Sequence, residues 1–381
     1  MGVPPFEFSA ATRLVVASGA VGRLGDLARD LGGTRVLVTS DPGIVAAGHA
    51  AAGLAVLAAA GIATELFSDF CENPTSRQVE AGAEVARRFR PDLLVGLGGG
   101  SSLDCAKGIN FLHSCGGRMQ QYRGRGTATG PMLPSIAVPT TAGTGSETQS
   151  FALITDSDTG MKMACGDPRA AFRAAILDVD LTLTQPPRVA ALTGIDAVTH
   201  AVESHVSKAA TPASRVFSRE AWRLLAENLP RVFTDGRDTE ARAAVQFGAA
   251  LAGLAIEHSM LGAAHALANP LTAAHDVVHG QAVGVMLPHV VRFNAAACGG
   301  LFAELLGDLG LQVTEADAAG VLSDWLVDLL RRGGLETSLD RIASGADVAA
   351  LADKAAAEWT AGFNPRAVTA VDLAALYEAA R

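Results

Sequence analysis

The chain has 381 residues, of which 49% are hydrophobic and 18% are charged, so it can bury a large core and is not intrinsically disordered. At about 150 residues per domain, this length predicts two domains. The net charge of −9 and the aromatic content of 5% argue against a nucleic-acid partner, because phosphate binding needs a basic surface and base stacking needs aromatic side chains.

Neither export nor a membrane anchor is predicted. The first ten residues, MGVPPFEFSA, lack a basic region followed by an apolar run. Residues 43–64 carry no charge and could span a bilayer, but they are rich in Ala and Gly and follow a predicted strand, which favours a buried crossover helix. Five scattered cysteines without a Cys-x-x-Cys pair suit a reducing compartment, so we expect a cytoplasmic protein.

Short apolar runs alternate with helical patterns in the first half of the chain. They predict strands at Leu14–Val16, Arg35–Thr39, Ala63–Phe67, Leu93–Leu97 and Ser135–Pro139. Helical stretches such as Gln78–Phe89 lie between several of them. Strands separated by helices favour a mostly parallel sheet in an α/β domain.

The pattern changes near Pro186 and Pro187, a pair of residues typical of a helix start. Beyond this point helical periodicity dominates, in residues 189–207, 212–228, 239–258 and 318–332. The sequence therefore predicts an α/β domain over residues 1–187 and an all-helical domain over residues 188–381.

A glycine-rich loop follows the predicted strand Leu93–Leu97 and precedes a helical pattern. Its residues are Gly98, Gly99, Gly100 and Ser101, and from Gly96 the spacing is G-x-G-x-x-S, with Ser101 where the dinucleotide fingerprint has its third glycine. Backbone N–H groups at such a helix start can bind a pyrophosphate. By itself, the spacing fits a tight strand-to-helix turn equally well.

Two further predicted strands end in polar residues. Residues 140–148 (TTAGTGSET) follow one strand, and Asp41 follows another. Ligands of open α/β sheets bind outside the carboxyl ends of the strands, so the three loops together favour a nucleotide site. An Asp41 carboxylate there can accept hydrogen bonds from an adenosine ribose and would repel a 2′-phosphate. A helix cap before Pro42 explains Asp41 at least as well.

Asp196 and His200 are four residues apart in a helical pattern, which places a carboxylate and an imidazole on one face, with Glu203 nearby. Further histidines follow at His265, His275 and His279. Each histidine alone is better explained as a surface or core residue, but together with the aspartate they suit a divalent cation such as Fe²⁺ or Zn²⁺. Spacing alone does not decide between His275 and His279.

Several long motifs, in order along the whole chain, resemble those of the iron-containing alcohol dehydrogenases. They are Gly98-Gly99-Gly100-Ser101 with Asp104 and Lys107, residues 139–147 (PTTAGTGSE), residues 194–203 (GIDAVTHAVE), and His279-Gly280 with Leu287-Pro288-His289. Shorter matches are Asn73-Pro74-Thr75, Lys162-Met163, Leu177-Asp178 and Asn364-Pro365-Arg366. The resemblance implies an α/β dinucleotide-binding domain followed by an all-α metal-binding domain, the architecture of dehydroquinate synthase.

The resemblance also implies an activity: interconversion of an alcohol and its aldehyde or ketone by hydride transfer to or from NAD, in the interdomain cleft. NADP is less favoured because of Asp41, and the metal would be Fe²⁺, with Zn²⁺ as an alternative. The substrate would be a small alcohol or aldehyde. A homo-oligomer, a dimer or larger, is expected, with neither nucleic acid nor a membrane as partner.

Particular residues carry these implied roles. The implied metal ligands are Asp196, His200, His265 and His279, which selects His279 over His275. The implied cofactor contacts are Asp41, Asn73, Gly98, Gly99, Gly100, Ser101, Asp104, Thr140, Thr141, Thr144 and Lys162.

One position departs from the family. Four residues after the third implied ligand, the family often has a second histidine near the nicotinamide, whereas this chain has Asn269, which does not titrate near neutral pH. Either water or another group then relays the proton, with His275 the nearest spare histidine in sequence, or the substrate differs from a simple alcohol. The competing hypotheses are a metal-dependent lyase of the dehydroquinate synthase type and a catalytically inactive nucleotide-binding relative.

Overall fold

The computed structural model describes residues 5–381, which divide into two units. One is Ser9–Gln185, and the other is Pro186–Arg381 together with residues 5–8. The sequence placed residues 5–8 in the first domain. They group with the helical unit because the Phe8 ring packs on the rings of Phe217 and His258, with centroids 5.5 and 4.5 Å away.

The unit Ser9–Gln185 contains all nine strands found in the described part of the chain. They are β1 (Arg13–Val16), β2 (Arg35–Thr39), β3 (Ala63–Phe67), β4 (Leu93–Gly98), β5 (Gly124–Arg125), β6 (Ser135–Pro139), β7 (Phe151–Thr155), β8 (Lys162–Gly166) and β9 (Ala174–Leu177). Six of them form a parallel sheet in the order β1-β9-β6-β4-β2-β3, which includes every predicted strand. A small second sheet has the order β5-β8-β7.

Alternating side chains of the parallel sheet belong to different cores. Leu37 and Leu94 belong to one core, while Val36, Val38 and Val95 belong to the other. Strand β4 is buried along its whole length, as expected for a parallel sheet covered on both faces. Strands β2, β4 and β6 are neighbours in the same direction, so their carboxyl ends lie at one edge of the sheet.

The helices of this unit are α1 (Leu24–Asp30), α2 (Pro42–Ala46), α3 (His49–Ala59), α4 (Ser76–Phe89) and α5 (Gly100–Cys115). Residues 43–64, which the sequence predicted as one crossover helix, contribute to two. These two helices, α2 and α3, are separated at Gly48, whose φ of +86° is left-handed. The last two residues of the range, 63 and 64, belong to β3. Within residues 5–381, no single helix has both the length and the apolarity needed to cross a membrane.

The second unit is helical. Its helices are α6 (Pro187–Val206), α7 (Pro212–Thr234), α8 (Thr239–Glu257), α9 (Ala263–His275), α10 (His279–Phe293), α11 (Ala295–Asp308), α12 (Glu315–Arg332), α13 (Leu339–Ile342), α14 (Val348–Ala356) and α15 (Ala370–Ala379). Helix α6 is buried on every side from residue 194 to residue 206. Charged side chains are costly to bury without partners, so we expect the buried ionisable residues of α6 to contact polar or charged groups of other helices. Helices α10 and α11 have the length and composition of a membrane span only when they are taken together, and the chain bends by 112° between them.

Candidate functional site

Three histidine side chains of the helical unit meet around Asp196. Its Oδ1 lies 3.4 Å from Nε2 of His200, 3.6 Å from Nε2 of His265 and 3.7 Å from Nε2 of His279. Asp196 and His200 are one turn apart on α6, whereas His265 comes from α9 and His279 is the first residue of α10. The structure therefore brings together the four side chains that the family resemblance implied as ligands.

The dimensions and chemistry of this cluster fit a divalent cation. Four ligand atoms bonded at about 2.1 Å to one tetrahedral ion lie about 3.4 Å from each other, close to the three distances from Asp196 Oδ1. The ligand atoms of Asp196, His265 and His279 also lie within 4.8 Å of one another. Asp196 Oδ1 and His265 Nε2 are buried and make no hydrogen bond within residues 5–381. Leaving buried polar atoms without such bonds is costly, so a ligand shared by the two is favoured.

The charges within the cluster are set by its neighbours. Burial raises the pKa of Asp196, but the rings of His200, His265 and His279 outweigh burial and hold that pKa well below its usual range. Burial lowers the pKa of His265, but Asp196 and Glu203 overcome this effect and raise it to about 9. An anionic oxygen surrounded by imidazoles is a donor set that suits both Fe²⁺ and Zn²⁺.

Close packing of two helices brings His279 to Asp196. A Cβ atom at Gly280, the next residue of α10, would lie 2.1 Å from the backbone oxygen of Leu192 on α6. Any other residue at this position would push α10 away from α6 and carry His279 with it. This explains why a glycine directly follows the histidine.

The two residues considered for proton transfer have different surroundings. Asn269 lies one turn after His265 on α9, and its Nδ2 donates a hydrogen bond to Oε2 of Glu358 at 3.0 Å. His275 is exposed in the last turn of α9, ten residues and therefore about 15 Å along the helix axis from His265. The structure thus brings a carboxyl group to Asn269, which the sequence did not signal, and leaves His275 at the far end of the helix.

The loops after β2, β4 and β6 meet at the carboxyl edge of the parallel sheet. The Thr140 N–H donates to the Gly98 oxygen at 2.9 Å, and the Asp41 N–H donates to Ser102 Oγ at 3.1 Å. Gly98 has a φ of +147°, and a Cβ atom there would lie 2.4 Å from Ser102 Oγ, so only glycine fits. Helix α5 begins at Gly100, so its N–H groups and positive end face this edge.

Further residues implied as cofactor contacts lie beside the glycine loop. Lys162 Nζ donates to Asn73 Oδ1 at 3.1 Å, and the Asn73 N–H donates to Ser101 Oγ at 3.2 Å. Thr141 and Thr144 pack against the loop: Cβ atoms built on Gly99 and Gly100 would lie 3.5 and 2.6 Å from the Cγ2 atoms of these two threonines. The loop is therefore lined by hydroxyl, amide and ammonium groups.

Asp41 has the helix-capping role that the sequence allowed. Its Oδ1 accepts the N–H groups of Gly43 and Ile44 at 3.0 and 3.2 Å, and its Oδ2 accepts the Ser102 hydroxyl at 2.9 Å. Carboxylate oxygens have about four lone-pair sites in total, so this anchoring leaves acceptor capacity for a ribose hydroxyl. The capping and cofactor-binding interpretations of Asp41 are therefore compatible.

Asp104, predicted as a cofactor contact, is turned into the protein interior. Its Oδ1 accepts from Ser146 Oγ at 2.6 Å, and its Oδ2 accepts the Leu153 N–H at 3.1 Å. Lys107 Nζ lies 3.7 Å from Oδ1 and donates to the backbone oxygens of Ser146 and Phe151 at 2.7 and 2.6 Å. Through these hydrogen bonds, Asp104 ties α5 to the segment after β6.

Glu147 is a buried carboxyl group to which the sequence assigned no separate role. It is 3% exposed, and burial raises its pKa from 4.5 to about 7, although Lys107 acts in the opposite direction. A carboxyl whose pKa is higher in the folded state stabilises the fold fully below the unfolded pKa. That contribution, about 3 kcal/mol, is lost as the pH rises from about 4.5 through 7.

The Glu147→Gln variant is expected to lack this pH dependence. Relative to the wild type, its free energy of unfolding should rise by about 3 kcal/mol between pH 4.5 and pH 8, because the wild type alone must ionise a buried group. Urea unfolding at a series of pH values measures this, with substitution of the exposed Glu72 by Gln as the control. A difference between E147Q and wild type that stays constant with pH would contradict the assignment.

The cluster around Asp196 and the loops at the carboxyl edge of the sheet complement each other chemically. A dinucleotide carries hydride, and a bound cation polarises the oxygen of the carbon that gains or loses it. A sheet edge suited to a nucleotide and a cluster suited to a cation, both in one chain, are features expected of a metal-dependent dehydrogenase that uses a dinucleotide.

Comparison with protein families agrees with this class. Residues 11–179 match the model of iron-containing alcohol dehydrogenases, and residues 190–381 match the model of the C-terminal region of the Fe-containing alcohol dehydrogenase family. The chain belongs to the iron-containing alcohol dehydrogenase family.

Individual relatives match almost end to end. The NAD-dependent methanol dehydrogenase of Bacillus methanolicus is 33% identical over 364 residues, which cover 94% of this chain and 96% of that protein. The crystal structure of a 1,3-propanediol oxidoreductase has a TM-score of 0.95 at 32% identity, covering 99% of this chain and 100% of that one. Sulfoacetaldehyde reductase of Bifidobacterium kashiwanohense, solved in complex with NAD⁺, has a TM-score of 0.90 at 27% identity and 99% coverage of both chains.

The predicted family, fold class and enzyme class are therefore confirmed. The chain is an oxidoreductase that interconverts an alcohol and its aldehyde or ketone, with NAD and iron as cofactors. The comparisons give no support to a lyase of the dehydroquinate synthase type or to an inactive relative.

Proposed function

We propose that Asp196, His200, His265 and His279 hold the iron of this dehydrogenase, and that a small alcohol or aldehyde reacts beside them. The observation that carries this proposal is the meeting of three imidazole nitrogens at 3.4, 3.6 and 3.7 Å from one carboxylate oxygen. When bound, the ion supplies a Lewis acid for the oxygen of the substrate. Helices α6, α9 and α10 carry the four side chains.

We propose that the glycine loop binds the pyrophosphate of NAD. The N–H groups at the start of α5 and the positive end of that helix suit a doubly charged phosphate pair. Thr140 Oγ1 is buried and makes no hydrogen bond within the described chain, so its hydroxyl is available to the cofactor. The Asp41 carboxylate favours ribose hydroxyls and opposes a 2′-phosphate, which selects NAD over NADP. Asp104 acts indirectly, by holding the segment after β6.

The experiment is aldehyde reduction by protein reconstituted with Fe²⁺ under anaerobic conditions. We expect stoichiometric conversion of NADH and aldehyde to NAD⁺ and alcohol, slower reaction with NADPH, and loss of activity on chelation. A lyase that uses NAD transiently would show no net cofactor turnover. If no small aldehyde or alcohol turns over with Fe²⁺, Zn²⁺ or Co²⁺, the proposal fails.

We propose that Glu358, rather than His275, supplies the titratable group next to Asn269. Asn269 cannot titrate, but its amide donates directly to the Glu358 carboxyl, 3.0 Å away. That contact lies one turn from His265, whereas His275 lies nearly three turns away. The Glu358 carboxyl can therefore exchange a proton with water or substrate beside Asn269.

Substituting Glu358 and His275 in turn tests which of the two side chains transfers the proton. Glu358→Gln is expected to lower kcat by about 100-fold and to remove one limb of the pH profile of kcat, because general acid–base groups contribute on this scale. The matched variant His275→Ala is expected to keep the wild-type kcat and pH profile. Steady-state kinetics from pH 5 to pH 10 measure both variants. The reverse result, with H275A impaired and E358Q active, would assign the relay to His275.

We also propose a cytoplasmic homo-oligomer, a dimer or larger, in which the chain divides near residue 187 into an NAD-binding and a metal-binding domain. All five cysteines are free thiols, which suits a reducing compartment. Light scattering on the purified protein measures the oligomeric state.

A further inference from the structure

The Glu203 carboxylate makes two different contacts with one neighbouring helix. Its Oε2 lies 2.6 Å from Nδ1 of His265, and its Oε1 accepts the backbone N–H of Ala264 at 2.7 Å. Ala264 is the second residue of α9, so this N–H is one of the four at a helix start that have no partner within the helix. Glu203 is 3% exposed and comes from α6, which also carries Asp196.

The contact with the ring fixes the orientation and the tautomer of His265. A carboxylate only accepts hydrogen bonds, so Nδ1 of the ring carries the hydrogen and donates it to Glu203. In the neutral ring, Nε2 then has the lone pair, and it faces Asp196 Oδ1 at 3.6 Å. A histidine that binds a metal needs this arrangement, with one nitrogen held by a neighbour and the other directed at the ion.

The contact with the backbone fixes the start of the helix that carries His265. No residue at the start of α9 caps it with its own side chain. Instead, the Ala263 N–H donates to Asn364 Oδ1 at 3.3 Å, and the Ala264 N–H donates to Glu203. Asn364 forms a reciprocal amide pair with Asn294, with hydrogen bonds of 2.8 and 3.0 Å. Two distant segments therefore anchor the first turn of α9.

We propose that Glu203 is a positioning residue for the metal centre, which sets both the ring and the backbone of His265. This inference rests on the ligand set proposed above. Asn364 only caps the first turn of α9, whereas Glu203 caps that turn and also holds the His265 ring. Its loss should therefore change how the protein binds a metal, beyond any effect on the helix.

The experiment compares metal binding by the full-length wild type and Glu203→Gln. Glutamine has the same shape but replaces one of the two carboxylate oxygens by an NH₂ group, so it cannot face both Ala264 and His265 with an acceptor oxygen. We expect the metal affinity of E203Q, measured by competition with a chelator, to fall by about 10- to 100-fold. The visible absorption spectrum of the Co²⁺-substituted protein should also change, because it reports the geometry of the ligands directly.

Two further variants make the test independent of folding. Asn364→Ala removes the other cap of α9 and is expected to lower thermal stability while keeping the Co²⁺ spectrum and the metal affinity close to wild type. Glu203→Asp keeps the charge and shortens the reach by one methylene, so its metal affinity should lie between those of wild type and E203Q. This second substitution at residue 203 provides a comparison even if E203Q folds poorly.

The possible outcomes are distinct. Equal metal affinity and equal Co²⁺ spectra in wild type, E203Q and E203D would overturn the inference, and so would equal losses in E203Q and N364A, since helix capping would then explain both. A wild-type protein that binds no metal stoichiometrically would instead overturn the proposed ligand set, and the inference with it.

Discussion

Asp196→Ala is expected to give a folded protein that binds no iron and whose kcat/KM falls by at least about 1,000-fold. The Asp196 carboxylate lies within 3.4–3.7 Å of the three imidazole nitrogens and is the anion among the four proposed ligands. A Lewis acid stabilises the transition state of such reactions by several kcal/mol, and about 4 kcal/mol corresponds to this loss in rate. Metal content and steady-state kinetics measure the two effects.

The response of thermal stability to iron gives an independent readout. A ligand that binds only the folded state stabilises it, by about 2.7 kcal/mol at a concentration 100 times its dissociation constant. Added Fe²⁺ should therefore raise the Tm of the metal-free wild type and leave the Tm of D196A unchanged. Asp353→Ala, at an exposed position on α14, is the matched control and should respond like the wild type. One equivalent of iron retained in D196A would contradict the proposed ligand set.

Local sequence pattern predicted the parallel sheet well, except where neighbouring strands decide the structure. The buried runs of β2, β4 and β6 are rich in Val, Leu and Ile, which is typical of parallel strands covered on both faces. Strand β9, Ala174–Leu177, was missed because half of it is alanine, a weak strand former. Its pairing with β1 and β6 on either side makes it a strand, and that pairing joins segments far apart in sequence.

Helical spacing predicted only part of the metal cluster. Asp196 and His200 share a face of α6, as their spacing indicated. His275 and His279 have the same spacing, but they lie in different helices, α9 and α10, so the rule that relates residues four apart does not apply to them. Only the family resemblance selected His279, because the approach of α10 to α6 depends on packing around Gly280.

The contacts around the ligands were beyond local reasoning. Glu203 meets His265 across 62 residues, and Glu358 meets Asn269 across 89 residues. No short motif contains either pair. Hydrogen bonds of this kind depend on how helices pack. The sequence could therefore place Glu203 near the helix face of Asp196 and His200, but it could not predict the contact of Glu203 with His265 or that of Glu358 with Asn269.

Lys107→Met is expected to lower the free energy of unfolding by about 3–5 kcal/mol, because it breaks a buried ion pair by removing one partner. The Lys107 side chain is fully buried, and its Nζ donates to Ser146 O, Ser146 Oγ and Phe151 O at 2.7, 2.8 and 2.6 Å. Methionine matches the length of the stem but cannot donate to any of these oxygens. It would also leave the Asp104 carboxyl, 3.7 Å away, without its cation.

A double-mutant cycle with Asp104→Asn tests whether the charges are coupled. Burial raises the pKa of Asp104, and the charge of Lys107 opposes this rise more strongly than any other group. The double variant D104N/K107M should therefore be destabilised by less than the sum of the single variants, since neither residue then buries an unpaired charge. Urea unfolding measures all three, with substitution of the exposed Lys354 by Met as the control. Strictly additive losses would show that Lys107 acts through its hydrogen bonds to Ser146 and Phe151 alone.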